Sequence, residues 1–242
     1  MPHLPDAEGG RAAAAGLEWL ANLANRDGGI PTFCRGWGRL PFDTSCPDIA
    51  AHALRAAGSW ALVTEVTAGP VRAAGRRRRH FLASARRYLA NTQAVDGSWC
   101  PLWFGNEHHH AQANPAYGTA RVVLATLDRR GAEWLVTCMG PDGGVGPAPG
   151  LPPSIEETSL AVEALARVAA TSADAGLRDR ATAAVASGVA WLLDRTAGGT
   201  QFSAAPIGLY FAKLWYDEEL YPLVFTVAAL ERAATITRLE PT

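Results

Sequence analysis

With 242 residues, 48% of them hydrophobic, the chain is long enough for a substantial core, and its net charge of −1 gives no general attraction to nucleic acid. No apolar run reaches the roughly 20 residues that span a bilayer, and the N-terminus lacks the charged and apolar regions of a signal peptide. Four cysteines without a C-x-x-C pair favour reduced thiols, so we expect a cytoplasmic protein whose contact with membranes, where it occurs, is peripheral.

Apolar residues recur at helical spacing in eight segments, and strand signals are scarce. Pro47 fits the first position of the second helix, with Ser45 or Cys46 as its cap. A capping box, with its serine at Ser154, starts the sixth helix, and capping together with the helix dipole explains the two carboxylates of Glu156 and Glu157. The predicted helices cover residues 11–25, 47–66, 77–92, 116–128, 130–139, 154–171, 177–195 and 219–236.

A short pattern recurs along the chain, in which an aromatic residue on a helix leads to a glycine turn. The aromatic stands nine positions before the first turn glycine in three copies and seven positions before it in the fourth. The copies pair Trp19 with Gly28, Tyr88 with Gly97, Trp134 with Gly143, and Trp191 with Gly198. A fixed internal offset indicates a repeat architecture. We expect one domain over residues 1–242, with residues 1–10 disordered, in which four helical hairpins alternate inner and outer helices in an all-α fold of the α/α barrel type.

Residues 86–99 read R-x-Y-L-x-x-x-Q-x-x-x-G-S-W and resemble the QW motif of the squalene–hopene and oxidosqualene cyclases. In that motif the glutamine can bond to the backbone at a neighbouring helix end, and the tryptophan stacks over it. Collinear matches at residues 47–54, 153–158 and the C-terminal aromatic stretch extend the resemblance over nearly the whole chain. It covers only the C-terminal half of a cyclase. The resemblance implies an α/α toroid with about eight of its twelve helices, which self-associates or pairs with an N-terminal cyclase-half partner.

The same resemblance assigns roles to Asp48 and His52 and exposes a missing acid. Class II cyclases protonate an alkene or epoxide through an Asp-x-Asp-Asp motif, and this motif does not occur here; Asp43 begins the nearest look-alike and is not assigned the role. Asp48 and His52 are four positions apart and share a helix face. In squalene–hopene cyclases a corresponding pair raises the acidity of the acid, which implies a catalytic role for both residues. From spacing alone, an ion pair at the helix start is the alternative.

Aromatic residues form the second part of the predicted site. A π face stabilises a carbocation without offering a nucleophile that would trap it. Trp99 is predicted to be structural, and Val145 replaces a motif tryptophan that reaches the cavity in squalene–hopene cyclases. Core packing is the alternative for the other aromatics. The resemblance implies substrate binding by Trp103, Phe104, Tyr117, Tyr210, Phe211, Trp215 and Tyr216.

Two functional hypotheses follow. The chain is a terpene cyclase component that folds a polyprenyl hydrocarbon or isoprenoid for proton-initiated cyclisation, without a cofactor and with the acid supplied by a partner chain. Alternatively, it is a non-catalytic toroid protein that binds isoprenoid or a protein partner. The missing acid motif and Val145 favour the second hypothesis, whereas Asp48, His52 and the aromatics favour the first, which we adopt.

Three other interpretations rank lower. A zinc-dependent prenyltransferase subunit shares the α/α toroid but needs an Asp-x-Cys element with a downstream histidine, which we do not find. A metal at residues 107–110 is disfavoured because adjacent histidines point in different directions. The basic run at residues 76–80 predicts a helix face that is exposed to solvent. The more specific alternative is that this face contacts anionic lipid headgroups or an acidic partner.

Overall fold

The chain falls into two compact units, Met1–Thr92 and Gln93–Thr242. Helix predominates in both, as the sequence predicts. Among the residues described, no helix is both long and apolar enough to cross a membrane. The computed structural model describes residues 7–36, 40, 42–60, 72–209 and 214–237.

The first unit contains three described helices and one short strand pair. The helices are α1 (Ala7–Leu23), α2 (Pro47–Ser59) and α3 (Arg72–Thr92), and the antiparallel strands are β1 (Ile30–Pro31) and β2 (Ser45–Cys46). All three helices contact one another. The buried face of α3 presents Phe81, Ala85, Tyr88 and Leu89, a helical spacing that turns one side of α3 toward the core.

Several helix boundaries in the first unit differ from the prediction: α2 ends at Ser59, and α3 begins at Arg72 rather than at residue 77. Helix α1 begins at Ala7, so residues 7–10 are helical rather than disordered, because an alanine-rich run with Glu8 in its first turn favours helix. Residues 1–6 lie outside the described part of the chain, as do residues 61–66 of the predicted second helix. The predicted start of α2 is confirmed, with Cys46 at the N-cap and Pro47 directly after it.

The second unit contains five described helices and a small sheet. The helices are α4 (Pro115–Thr126), α5 (Arg129–Thr137), α6 (Ile155–Thr171), α7 (Ala175–Arg195) and α8 (Leu220–Thr237). The strands β3 (Phe104–Gly105), β4 (Ala205–Leu209) and β5 (Leu214–Glu218) form an antiparallel sheet in the order β3-β4-β5. This sheet was not predicted from the sequence.

Helix α6 lies at the centre of the second unit's core. It contacts α4, α5, α7 and α8, and most of its side chains are buried. Such burial on all sides is typical of a central core helix. A hydrogen bond between Ser159 and Thr226, 3.0 Å long, joins α6 to α8 inside this core. The core therefore fixes how α8 is placed against α6, which matters for the pocket below.

The three Asp-Gly turns share one backbone structure, which establishes the repeat. In each, the amide of the first turn residue donates to the carbonyl four positions later, and the turn glycine donates back. Gly28, Gly97 and Gly143 have φ angles of +93°, +101° and +92°. A side chain on any of them would collide with a backbone carbonyl of the second described helix after the turn, which is α3 for Gly28, α5 for Gly97 and α7 for Gly143. Each turn is therefore packed directly against the second described helix that follows it in the chain.

The aromatic residue of one copy closes the turn of the copy before it. Trp134 donates its indole N–H to Asp96 at 3.1 Å, and Trp191 does the same to Asp142 at 3.0 Å. Both tryptophans are 7% exposed. Trp19, the corresponding residue of the first copy, is 61% exposed.

The QW-like segment links residues 93–99 to the start of α5. The side-chain amide of Gln93 donates to the Gly97 carbonyl at 3.0 Å and to the Asp128 carboxylate at 2.8 Å. Asp128 is the N-cap of α5, so the glutamine reaches a neighbouring helix end through the cap side chain rather than the backbone. The buried ring of Trp99 packs against Gly131 in the first turn of α5.

Candidate functional site

The second unit contains a small cleft lined by aromatic side chains and partly open to solvent, which is called the pocket. Its walls come from β3, β4, α4, α6 and α8. Phe104 stacks on Tyr117 with 4.2 Å between ring centroids, and Tyr221 stacks on Phe225 at 5.2 Å. Phe104 and Tyr221 join the two pairs at 6.3 Å. Four aromatic rings from three separate elements thus meet around one space.

A buried cation lies behind these rings. The guanidinium carbon of Arg121 stands 4.8 Å from the Phe225 ring centroid and 5.3 Å from that of Tyr117. Its charge is paired with Glu163 at 3.5 Å, and both side chains are 9% exposed. A buried charge needs such a partner because its desolvation is costly. Two of the pocket's aromatic rings therefore already interact with a cation of the protein.

Glu157 is held in place by its neighbours. Its carboxylate accepts hydrogen bonds from Asn114 at 2.6 Å, Asn106 at 3.1 Å and the Ser154 hydroxyl, and its amide donates to the Ser154 oxygen at 3.1 Å. The predicted cap is therefore confirmed for Ser154, whose hydroxyl oxygen accepts from the Glu157 amide. The reciprocal bond of a capping box is not formed, because the Ser154 amide donates to the Val145 carbonyl and the Glu157 carboxylate accepts from the Ser154 hydroxyl instead. These contacts account for Glu157 as a structural residue at the start of α6.

Glu156 is different, and the capping explanation given for it is wrong. Its side chain lines the pocket, the residue is 8% exposed, and none of the described residues gives its Oε1 atom a hydrogen bond. Burial, reinforced by the charges of Glu157 and Glu218, raises the pKa of Glu156 to about 8. The carboxyl group is thus mainly neutral at pH 7 and able to donate a hydrogen bond. A group that holds its proton this tightly is a poor acid for protonating an alkene.

The predicted substrate-binding residues fall in different places. Phe104 and Tyr117 line the pocket. Trp103 is half-buried, Trp215 lies half-buried over Gly208 of β4, and Tyr216 is 52% exposed. Tyr210 and Phe211 lie outside the described residues. Substrate binding by all seven stays a prediction.

Three residues of the pocket were not predicted from the sequence: Tyr221, Phe225 and Glu156. The spacing of Tyr221 and Phe225, four positions apart on α8, was the available signal, because it places both rings on one helix face. Glu156 was hidden by its position next to a true capping residue. All three lie far along the chain from Phe104, so only the tertiary fold brings them together.

Asp48 and His52 lie on α2 in the first unit. Asp48 is buried in the first turn and accepts a hydrogen bond from the Cys46 thiol, whereas His52 is exposed. Asp43 is also buried and accepts a hydrogen bond from the Leu40 amide at 2.8 Å, which holds its turn together. The catalytic role of Asp48 and His52 stays a prediction.

Val145 occupies the same structural position as Trp99. Trp99 donates its amide to the Thr119 hydroxyl at 2.9 Å, and Val145 donates its amide to the Thr158 hydroxyl at the same distance. Both side chains are buried, at 2% and 0% exposure. The smaller residue at 145 therefore serves the core of the second unit.

The histidine segment at residues 107–110 shows stacking between its rings. His109 and His110 lie with 4.6 Å between their ring centroids. The pKa of His109 is lowered, mainly by burial and to a smaller extent by the charge of His110. Across the described ranges, no three His, Cys, Asp or Glu side chains come together as metal ligands.

This chain resembles known proteins both in sequence and in structure. No protein-family model matches the chain. A terpene cyclase–glycosyl transferase fusion protein of Humicola fuscoatra is 27% identical, over 96% of this chain and 19% of that protein. The structure of ent-copalyl diphosphate synthase from Streptomyces platensis superposes with a TM-score of 0.61 at 23% identity, over 90% of this chain and 37% of that one.

The chain has the fold of the class II terpene cyclases. A type II terpene cyclase from Scytonema, solved with geranylgeranyl dihydroxybenzoate, agrees, with a TM-score of 0.58 at 18% identity over 90% of this chain and 66% of that one. The class II terpene cyclase fold is an α/α toroid, which confirms the predicted fold class and the predicted resemblance. The chain spans about a fifth of the length of the curated relatives it matches.

Proposed function

We propose that this chain is a component of a class II terpene cyclase and binds a polyprenyl hydrocarbon or isoprenoid in its aromatic pocket. The observation that carries the proposal is the meeting of Phe104, Tyr117, Tyr221 and Phe225 around one space. Aromatic walls bind apolar chains by removing both surfaces from water. The likeness in fold and sequence to terpene cyclases supports this ligand class.

The initiating acid is proposed to come from a partner chain. Trp134 and Trp191 each close an Asp-Gly turn of the copy before them, whereas Trp19 remains 61% exposed. A partner that presents an Asp-Gly turn to Trp19 would complete the same contact. A second exposed apolar surface supports association: α8 exposes Leu220, Leu223, Val224 and Val227, a spacing that forms one stripe.

Asp48 and His52 are assigned the task of tuning that acid. A carboxylate at a helix N-terminus is stabilised in its charged form, and it in turn favours the imidazolium. When the chain is combined with a partner that carries the Asp-x-Asp-Asp motif, Asp48→Asn or His52→Ala should slow conversion of squalene to cyclic products. Unchanged turnover in both variants would remove the pair from the mechanism.

Binding without catalysis is the second candidate, and one observation favours it. Arg121 already occupies the neighbourhood of the Tyr117 and Phe225 rings, so these rings are less available to stabilise a substrate carbocation. This version keeps the isoprenoid ligand and omits the chemistry. The squalene conversion described above separates the two candidates, because only the first predicts a cyclic product.

Ligand binding is tested by a matched pair of aromatic-to-alanine variants. Phe225→Ala removes a pocket ring, whereas Phe33→Ala removes a ring that is 68% exposed in the first unit. Losing the half-buried Phe225 ring from the pocket is expected to weaken binding of radiolabelled squalene in detergent micelles by about tenfold or more. Phe33→Ala should leave the affinity unchanged. Equal effects of the two variants would contradict the proposal.

A further inference from the structure

We propose that Glu156 hydrogen-bonds the oxygen of a ligand in the aromatic pocket, so that the pocket selects an isoprenoid with a neutral hydroxyl or carbonyl end over the matching hydrocarbon. The inference rests on the proposed function, because it assumes that the pocket takes an isoprenoid. It adds a polar end to the ligand and names the residue that recognises it.

The two carboxyl groups at the pocket differ in their hydrogen bonding. Glu157 is bonded by Asn114 and Asn106, and Asn114 also caps α4 by accepting from the Tyr117 amide at 3.1 Å. Glu156 lines the same pocket, yet its Oε1 atom is buried and receives no hydrogen bond from the described residues. A buried polar atom left in this state destabilises the protein unless something else pairs with it.

The carboxyl group is free to face a ligand with either oxygen. The terminal torsion of a glutamate has a broad, roughly two-fold preference, so a half-turn exchanges Oε1 and Oε2 at little cost. With its pKa raised to about 8, chiefly by burial, the group is mainly protonated at neutral pH. A protonated carboxyl both donates and accepts, which matches a hydroxyl and also suits a carbonyl oxygen.

The charges around Glu156 decide against an anionic ligand end. Glu157 and Glu218 are near enough to raise the pKa of Glu156 by repulsion. The cation beside the pocket, Arg121, is already paired with Glu163 at 3.5 Å. Among the residues that the structure describes, a diphosphate or carboxylate would therefore meet negative charge without an unpaired cation beside the pocket, whereas a neutral oxygen meets no such penalty.

The test compares three C15 probes that differ at one end: farnesol, farnesene and farnesyl diphosphate. Their affinities for the full chain are measured by equilibrium dialysis in detergent micelles. We expect farnesol to bind about tenfold more tightly than farnesene, and farnesyl diphosphate to bind more weakly than farnesol. Glu156→Gln keeps a donor and an acceptor and should retain the preference, whereas Glu156→Leu should abolish it. Glu107→Leu, at an exposed glutamate outside the pocket, is the matched control.

The outcomes separate this inference from the proposed function. Failure of all three probes to bind would overturn both. Equal binding of farnesol and farnesene by the unmodified chain would overturn the role of Glu156 and leave the apolar pocket standing, and this comparison needs no variant to fold. A farnesol preference that survives in Glu156→Leu, with circular dichroism showing an intact helical fold, would also overturn it.

Discussion

Replacing Gly143 with alanine tests whether close packing of the glycine turn against the backbone of α7 stabilises the second unit. Gly143 has a φ of +92°, and a methyl group built on it would lie 2.5 Å from the Ser187 carbonyl oxygen of α7. The backbone conformation alone costs an alanine about 1–3 kcal/mol. The collision with the neighbouring backbone adds about 1–3 kcal/mol. The variant should therefore lose about 2–6 kcal/mol in free energy of unfolding.

Gly199 provides a matched control in the same unit. Its φ is +87°, and a methyl group on it would meet nothing within 4 Å. Gly199→Ala should therefore lose only the conformational part, about 1–3 kcal/mol. Urea unfolding followed by far-ultraviolet circular dichroism measures both variants against the unmodified chain. Equal decreases in the free energy of unfolding of the two variants would refute the idea that close packing of the Gly143 turn against α7 stabilises the unit.

Three further predictions concern the hydrogen bonds of Trp134 and Gln93 and the carboxyl group in the pocket. Trp134→Phe removes an indole hydrogen bond and should lower the free energy of unfolding by about 1 kcal/mol or more, whereas the exposed Trp19→Phe should change it by less than about 0.5 kcal/mol in the same urea titration. Gln93→Ala removes the hydrogen bonds from the glutamine side chain to the Gly97 carbonyl and to the Asp128 carboxylate, and should lower the thermal midpoint by a few degrees in a calorimetric scan. An unchanged midpoint would contradict a stabilising role for the glutamine of the QW-like segment. Because the folded state binds the Glu156 proton more tightly than the unfolded state, this carboxyl lowers the free energy of unfolding as the pH rises from about 4.5 to about 8. Glu156→Gln should remove that fall, so that the free energy of unfolding of the variant exceeds that of the unmodified chain by roughly 5 kcal/mol at about pH 9, relative to their difference near pH 3. Parallel pH profiles of the two proteins would contradict the raised pKa.

The helices were predictable because local periodicity and caps determine them. Six of the eight helices that the structure describes start and end within a few residues of the predicted positions. Pro47 and Ser154 mark two of the starts, as the first residue of a helix and as an N-cap. The repeat was also visible, because a fixed aromatic-to-glycine offset reflects a fixed backbone turn. Its physical meaning was not visible: the aromatic of one copy closes the preceding turn, as Trp134 does with Asp96.

The sheet and the pocket depend on contacts between distant segments. Strand β4 contains Pro206 and Gly208, which weaken any local strand signal. The pocket joins Phe104 to Tyr221 across more than a hundred residues, and sequence periodicity carries no information about which helix faces meet. Tertiary contacts also separate Glu156 from its neighbour Glu157. The sequence shows two adjacent carboxyl groups at one helix end, but it does not show that their surroundings differ.

Photo-crosslinking tests the central claim, that an isoprenoid binds in the aromatic pocket of residues 93–242, most directly. A farnesol analogue carrying a diazirine is bound to the full chain, irradiated, and located by peptide mass spectrometry. The account predicts labelling in the peptides that contain Phe104, Tyr117, and the segment from Tyr221 to Phe225, with competition by unlabelled farnesol. Labelling that is absent from all peptides containing Phe104, Tyr117, Tyr221 and Phe225, or labelling that farnesol does not displace, would contradict it.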